Sequence, residues 1–206
     1  MESTKLISSL TQLDLEFHIA DMSFPIGFDP SHHQSAQSKR SKWGYQHMSR
    51  FWIRTIFEHK AVLELEYYMR MDTDSMFLSP VFDIFQDAKE RGVMYGFRQA
   101  GKDSIRRNVG LWNLHSDYIK DTGMRSCTDA PHECLSRELP RLMNLTLQHK
   151  LGDGSEAPIF YTNFELVSVA AFTKPQMWEY ILHVDASHGI YLHNWGDAQV
   201  THCTQF

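Results

Sequence analysis

The feature that most constrains the fold is an aromatic and apolar run, residues 67–71, which stops at two acids, Asp72 and Asp74. A run of this kind followed by turn residues predicts a β-strand. In an open α/β sheet, ligands lie outside the carboxyl ends of the strands, so both carboxylates would face a binding crevice. Carboxylate oxygens suit Mg²⁺ or Mn²⁺, and such an ion would neutralise a diphosphate. The alternative is an ordinary turn, since Asp, Thr and Ser are common turn residues.

Predicted helices and strands alternate along the chain. Apolar residues at helical spacing predict helices at residues 4–13, 44–59, 80–91, 108–122, 134–149 and 175–189. Alternating or continuous apolar residues predict further strands at residues 15–19, 93–97, 159–171 and 190–200, the last broken by a tight turn. Ser79 would cap the helix that begins at Pro80. The alternation predicts one α/β domain over residues 1–206, with a mixed, mainly parallel sheet flanked by helices.

Composition excludes several classes of protein. The chain is 42% hydrophobic and 22% charged, which is typical of a packed soluble domain. Its net charge of −5 argues against a nucleic-acid-binding surface. We find no stretch that approaches the ~20 apolar residues of a membrane span. Three cysteines are too few for a disulfide scaffold, but Cys127 and Cys134 could form one disulfide in an oxidising compartment.

Four blocks of sequence, residues 44–51, 67–74, 163–166 and 195–198, together resemble the fungal-type α-1,2-mannosyltransferase family, glycosyltransferase family 15. Their order and approximate separation also match that family. The resemblance implies a GT-A nucleotide-sugar fold and transfer of mannose from GDP-mannose, with retention of configuration and with Mn²⁺ as cofactor. It also implies a glycan or glycoprotein acceptor and a location in the Golgi lumen.

The resemblance assigns the metal and catalytic positions. Asp72 and Asp74 match the family's Glu-Pro-Asp version of the DxD element, which holds the metal and the diphosphate. Glu165 matches the acid that acts as nucleophile or stabilises the oxocarbenium-like centre, and a carboxylate can do either. From the residues alone, Glu165 could instead be an ion-paired acid at a strand edge, with Arg50 or Arg70 as its partner.

Six residues are predicted to contact the donor or the acceptor: Tyr45, Arg50, Arg70, Asn163, Trp195 and Asp197. Arg50 could bind a phosphate or a sugar hydroxyl through its guanidinium fork. The aromatic ring of Trp195 and the carboxylate of Asp197 form a combination that suits sugar hydroxyls. Simpler explanations stay open, since Tyr45 could pack in the core, Arg50 could lie on a solvated helix face, and Asp197 could cap a turn beside a core tryptophan.

The chain departs from the family pattern after residue 198. Gln199 replaces the family's proline, and Thr201 occupies the place of the histidine that completes the metal shell. His202 follows one residue later, and in a strand a one-residue slip reverses the face of a side chain, so His202 would need a bulge to act as a ligand. The family's opening strand is also missing from the sequence pattern. An inactive sugar- or nucleotide-binding remnant is therefore the alternative function.

Overall fold

The computed structural model describes residues 15–33, 43–80, 82–104, 107–123 and 156–203. In these ranges the strands are β1 Tyr67–Met71, β2 Tyr95–Phe97, β3 Ala100–Ser104, β4 Glu156–Phe160 and β5 Phe164–Ser168. The α-helices are α1 Gly44–Ile53, α2 Lys60–Leu63, α3 Ile84–Arg91, α4 Leu111–Thr122, α5 Val169–Phe172, α6 Pro175–Ala186, α7 Gly189–Leu192 and α8 Asp197–Cys203. Two 3₁₀ turns, Pro30–His32 and Thr55–Glu58, complete the regular structure of the described ranges.

The main sheet has the order β1-β5-β2, and a second sheet pairs β3 with β4. The α/β class is confirmed, but the mainly parallel sheet is not, because every described strand pair is antiparallel. Alternation of helices and strands in a sequence does not specify strand direction. β5 lies between β1 and β2 and runs antiparallel to both. Directly opposed residues of an antiparallel pair lie on the same face. The β1–β5 register opposes Arg70 to Glu165, so the two lie on one face.

Two predicted strands are absent from the structure. Residues 15–19 have no regular structure, and Ile19 is 93% exposed. None of the strands in the described ranges pairs with this segment, so no sheet completes its backbone hydrogen bonds there. Residues 190–200 were predicted as a strand but form most of α7 and the first part of α8. Asn194, with a φ of 59°, turns the chain between these two helices.

The ends of two helices also differ from the prediction. The predicted helix at 44–59 breaks at Arg54, where α1 ends and a 3₁₀ turn begins. The helix predicted to begin at Pro80 begins at Ile84, because the Asp83 carboxylate accepts hydrogen bonds from two backbone N–H groups of the first turn.

The predicted strand at 159–171 is divided into three elements. β4 ends at Phe160, a turn follows, and β5 ends at Ser168, whose side chain accepts a hydrogen bond from the Ala171 N–H and so caps α5. Glu165 therefore lies in the central strand of the sheet and not at its edge.

The core consists mainly of aromatic side chains packed between the main sheet and the helices α1, α4 and α6–α8. Its members that are at most 1% exposed are Leu111, Phe160, Val167, Tyr180, Ile181, Val184, Tyr191 and Val200. α8 contacts β4, α1 and α4, and its first residue, Asp197, accepts a hydrogen bond from Arg70 near the carboxyl end of β1. The predicted helices at 4–13 and 134–149 and the Cys127–Cys134 disulfide lie outside the described residues. The single-domain assignment stays a prediction.

Candidate active site

The centre of the site is the buried guanidinium group of Arg70, on β1. Its Nη1 donates to Asp197 Oδ2 at 2.5 Å, and its Nε donates to Asp72 Oδ1 at 3.3 Å. Glu165 Oε1 lies 3.9 Å from Nη1, so the ion pair that the sequence offered as an alternative is present. The guanidinium carbon lies 4.4 Å from the ring centroid of Trp52. One cation therefore brings together three carboxyl groups, from the residue that follows β1, from β5 and from α8.

These charges determine the protonation of Arg70. Burial acts to lower its pKa, but Asp197, Glu165 and Asp72 outweigh burial and raise the pKa above its ordinary value. Arg70 is therefore a permanent positive charge beneath the site.

Glu165 is the most unusual carboxyl group of the site. It is 3% exposed, and the Tyr95 hydroxyl donates a hydrogen bond of 2.7 Å to its Oε2. Burial raises its pKa from 4.5 to about 7, against the lowering effects of the Tyr95 hydrogen bond and of Arg70. Asp197 and Asp72 raise it further by repulsion. Near neutral pH, Glu165 therefore exchanges between a charged and a neutral form, as groups in functional sites often do.

A cleft of about 420 Å³ runs along this charged cluster. Its lining residues are Tyr45, Met48, Arg70, Asp72, Asp103, Arg107, Ile159, Tyr161, Thr162, Asn163, Asp197, Ala198 and Gln199. A larger apolar cavity of about 650 Å³, lined by Trp52 and by residues of α1 and α2, contains none of the predicted site residues. The smaller cleft is the candidate active site because it holds the charged groups.

Five of the predicted site residues line this cleft. Asp197, the first residue of α8, is buried and accepts a 2.8 Å hydrogen bond from Thr162 Oγ1. The Asn163 carbonyl accepts a 3.0 Å hydrogen bond from the Asp72 N–H, which joins the ends of β1 and β5. Burial, followed by repulsion from Asp197, raises the pKa of Tyr45. Glu165 lies next to Arg70 but is not among the lining residues.

The predicted metal ligands differ in their surroundings. The Asp72 side chain is 41% exposed at the cleft, whereas Asp74 is exposed and does not line it. Within the described ranges, no cluster of three or more His, Cys, Asp or Glu side chains could hold a metal ion. His202 belongs to α8, so the strand argument does not apply, and its side chain lies outside the described part of the chain.

The structure places Arg50 away from the cleft. Its Nε and Nη2 donate to the two carboxylate oxygens of Asp185 at 2.7 and 3.0 Å, and its Nη1 donates to the Ser23 carbonyl at 3.0 Å. Arg54 also donates to Asp185. Arg50 is only 5% exposed, so it lies neither on a solvated face nor within the cleft.

Trp195 is a core residue in the structure. It is 2% exposed, and its indole N–H donates to the Val109 carbonyl at 2.8 Å. A Cβ atom at Gly189 would approach the Trp195 ring to 2.2 Å, so the absence of a side chain there makes room for the ring. This ring position cannot stack on a sugar in the cleft.

Eight cleft residues were not among the predicted site residues, and five of the eight are polar: Asp103, Arg107, Tyr161, Thr162 and Gln199. Gln199 carried one available signal, because it replaces the family's proline. The ring of Tyr161 is 41% exposed and covers Gly101, where a Cβ would come within 2.4 Å of it. Asp103 lies on β3, a polar segment whose strand character depends on its pairing with β4.

Known proteins share both the sequence pattern and the fold. Residues 29–205 match the family described as glycolipid 2-alpha-mannosyltransferase. The chain is 30% identical over 157 residues to the probable mannosyltransferase KTR3 of Saccharomyces cerevisiae, covering 76% of this chain and 36% of that protein. It is 26% identical to the O-glycoside alpha-1,2-mannosyltransferase homolog 3 of Schizosaccharomyces pombe, covering 76% of this chain and 39% of that protein. It thus spans well under half the length of both relatives.

Two solved structures resemble the fold. The mannosyltransferase Ktr4p of S. cerevisiae in complex with GDP has a TM-score of 0.64 at 21% identity, covering 78% of this chain and 40% of that one. Core-mannan synthase A of Aspergillus fumigatus in its Mn/GDP form has a TM-score of 0.63 at 21% identity, covering 81% and 45%. The likeness confirms the predicted GT-A-like fold. The chain belongs to the glycolipid 2-alpha-mannosyltransferase family.

Proposed function

We propose that this chain forms the donor site of a metal-dependent mannosyltransferase, which moves mannose from GDP-mannose to a hydroxyl of a glycan or glycoprotein acceptor with retention of configuration. The observation that carries the proposal is the convergence of Asp72, Asp197 and Glu165 on Arg70 beside a cleft. Family membership supports mannose as the sugar. The GDP in the Ktr4p complex supports GDP-mannose as the donor.

The charge of the cluster supports a divalent cation in the site. One guanidinium faces three carboxyl groups, so the cluster is negative even when Glu165 is protonated. A diphosphate would be repelled from such a cluster unless a cation accompanied it. The Mn/GDP form of core-mannan synthase A makes Mn²⁺ the first choice, with Mg²⁺ second.

The residues present fit a metal that substrate oxygens also bind. The Asp72 carboxylate is partly exposed at the cleft, and the one described contact of its side chain is with Arg70, through Oδ1. Ions of this type bind through one or two carboxylates together with phosphate oxygens and water. Asp72 would hold the ion, with Asp74 and His202 as further candidates. When bound, the metal offsets charge on the leaving diphosphate.

The remaining residues would orient the sugar and stabilise positive charge. Ionised Glu165 would stabilise or attack the electron-poor anomeric carbon. Arg70 would position Glu165 and Asp197, while Tyr45, Asn163 and Asp197 would contact the donor or acceptor from the cleft wall. Arg50 and Trp195 would support the fold beneath the site, given where the structure places them.

One observation favours the second candidate function, an inactive sugar- or nucleotide-binding protein. Glu165 is 3% exposed and lies outside the cleft lining, so its surroundings must rearrange before a sugar can reach the Glu165 carboxylate. A remnant that had kept nucleotide binding would not require this rearrangement.

A transfer assay distinguishes the two functions. The protein is incubated with GDP-mannose, methyl α-mannoside and Mn²⁺, and the product is identified by mass spectrometry and by the NMR signal of its anomeric proton. We expect an α-linked dimannoside that disappears in Asp72→Asn and persists in Asp87→Asn, an exposed carboxylate on α3. GDP binding without any transfer would establish the inactive alternative, and a β-linked product would refute retention.

The proposed location is the Golgi lumen, by analogy with the family. No helix in the described ranges is long and apolar enough to span a membrane.

A further inference from the structure

The second guanidinium group that lines the cleft belongs to Arg107, just after β3. We propose that Arg107 binds the diphosphate of the nucleotide directly, as a cation that supplements the metal. This inference rests on the proposed donor site. The Arg107 side chain is 51% exposed, and its Nη1 lies 3.6 Å from Asp103 Oδ2. Arg70 differs, because its side chain is 7% exposed and three carboxylates surround it.

Arg107 can exchange its ion-pair partner at a small cost in free energy, whereas Arg70 cannot. A long, half-exposed ion pair contributes little to stability, so Arg107 can turn from Asp103 to a phosphate at small cost. The buried contacts of Arg70 cannot be broken without leaving carboxylates unpaired. The planar guanidinium fork also matches two phosphate oxygens at once. Arg107 is therefore the arginine of the cleft that is available to an incoming anion.

Asp103 is held independently of Arg107. The Gln199 side-chain amide donates a 2.6 Å hydrogen bond to Asp103 Oδ2, and Gln199 is 2% exposed. When Arg107 turns to a ligand, Asp103 on β3 keeps this hydrogen bond and so stays attached to Gln199 on α8. The contact between Gln199 and Asp103 thus lets Arg107 move alone.

Charge within the cleft makes such a cation necessary. Its lining includes two arginines, Arg70 and Arg107, and three aspartates, Asp72, Asp103 and Asp197. This lining repels a nucleoside diphosphate, and a single divalent ion held at Asp72 reaches only one part of the ligand. Arg107 supplies positive charge at the end of the cleft where Asp103 and Gln199 lie.

Calorimetric titration tests this role with two probes, GDP in the presence of Mn²⁺ and inorganic pyrophosphate in the presence of Mg²⁺. We expect Arg107→Ala to weaken the binding of both probes by roughly 10-fold to 100-fold, which is the usual effect of losing a hydrogen bond to a charged group. Arg107→Lys should lie between Arg107→Ala and the wild type, because it keeps the charge and loses the fork. Arg91→Ala is the matched control, since Arg91 is 70% exposed and pairs with Asp87 at 3.2 Å.

A comparison of GDP with GMP separates diphosphate binding from a structural role. We expect the preference for GDP over GMP to fall in Arg107→Ala, with an unchanged melting temperature. If both Arg107 variants bind GDP and pyrophosphate like the wild type, Arg107 has no such role and the proposed function stands. If the wild type binds pyrophosphate through Arg107 but not GDP, the donor proposal fails and the anion site stands. Failure of the wild type to bind pyrophosphate would overturn the inference.

Discussion

Arg50 and Arg70 are both buried guanidinium groups, 5% and 7% exposed, but the charges around them are balanced differently. Around Arg50, two arginines face two carboxylates, because Arg50 and Arg54 share Asp185 and Arg54 also pairs with Glu58. Around Arg70, one arginine faces three carboxyl groups. The first cluster is balanced in charge and joins α1 to α6. The second has an excess of negative charge beside a cleft, which is the condition for binding a cation.

Removing each arginine in turn should give the largest difference between the two clusters, measured as loss of unfolding free energy and of transfer activity. Arg70→Met leaves buried carboxylates without a counter-charge, which costs about 3–5 kcal/mol of unfolding free energy and should abolish transfer. In Arg50→Met, Asp185 keeps Arg54, so we expect a loss of about 2 kcal/mol and normal transfer by the folded fraction. Urea denaturation and the transfer assay measure both. Equal losses of stability would show that the clusters are equivalent.

The pH dependence of stability should identify Glu165. Its folded pKa of about 7 lies above its ordinary value of 4.5, so the folded protein holds this proton more tightly than the unfolded chain does. Stability should therefore fall as pH rises from 4.5 to 7, by about 3 kcal/mol in total for metal-free protein. Comparing urea denaturation of the wild type and Glu165→Gln across this range isolates the contribution. If the unfolding free energies of the two proteins change in parallel with pH, the raised pKa of Glu165 is contradicted.

Turnover should depend on the same carboxylate. Glu165→Gln keeps the shape of the side chain and removes its charge, so we expect donor binding to persist while turnover falls by about 100-fold or more. In the wild type, turnover should rise as pH increases through about 7, because the ionised form is the active one. Initial rates from pH 5.5 to 8.5 measure this. Unchanged turnover in the variant would remove Glu165 from the mechanism.

The smallest expected effect concerns the aromatic contact that Arg70 has. Trp52→Leu removes the ring that lies 4.4 Å from the guanidinium carbon. In addition to the loss of packing, losing the cation–π contact should lower the unfolding free energy by about 1 kcal/mol. Trp178→Leu is the control, because Trp178 is a half-buried tryptophan on α6. Equal losses in denaturation would show that the cation–π contact contributes nothing.

The two clusters also show how much of the site the sequence could predict. The strand that ends at Asp72 and the acid at Glu165 were both visible as local patterns, and the ion pair of Glu165 with Arg70 was among the expected alternatives. The partner of Arg50 was not, because Asp185 lies 135 residues away and nothing local links the two. The residue type of Trp195 is typical of a sugar-binding position. Its burial follows only from its packing against Gly189, which the sequence does not show.

Local patterns failed where pairing or packing determined the structure. The polar residues of β3 form a strand because β4 lies beside them, so Asp103 was missed as a site residue. Residues 190–200 contain enough β-branched and aromatic residues to suggest a strand. Instead, a turn at His188 precedes α7, and a turn at Asn194 separates α7 from α8, both residues having a φ of 59°.

The most direct test of the charge excess around Arg70 is a titration of GDP, with and without Mn²⁺, into the wild type and Asp72→Asn. If Asp72 holds the ion, GDP binding requires Mn²⁺ and weakens by more than about 100-fold in the variant, since loss of an outer-shell partner alone weakens metal affinity by 10–100-fold. Binding of GDP that is equally strong without Mn²⁺, or unchanged in Asp72→Asn, would contradict the account.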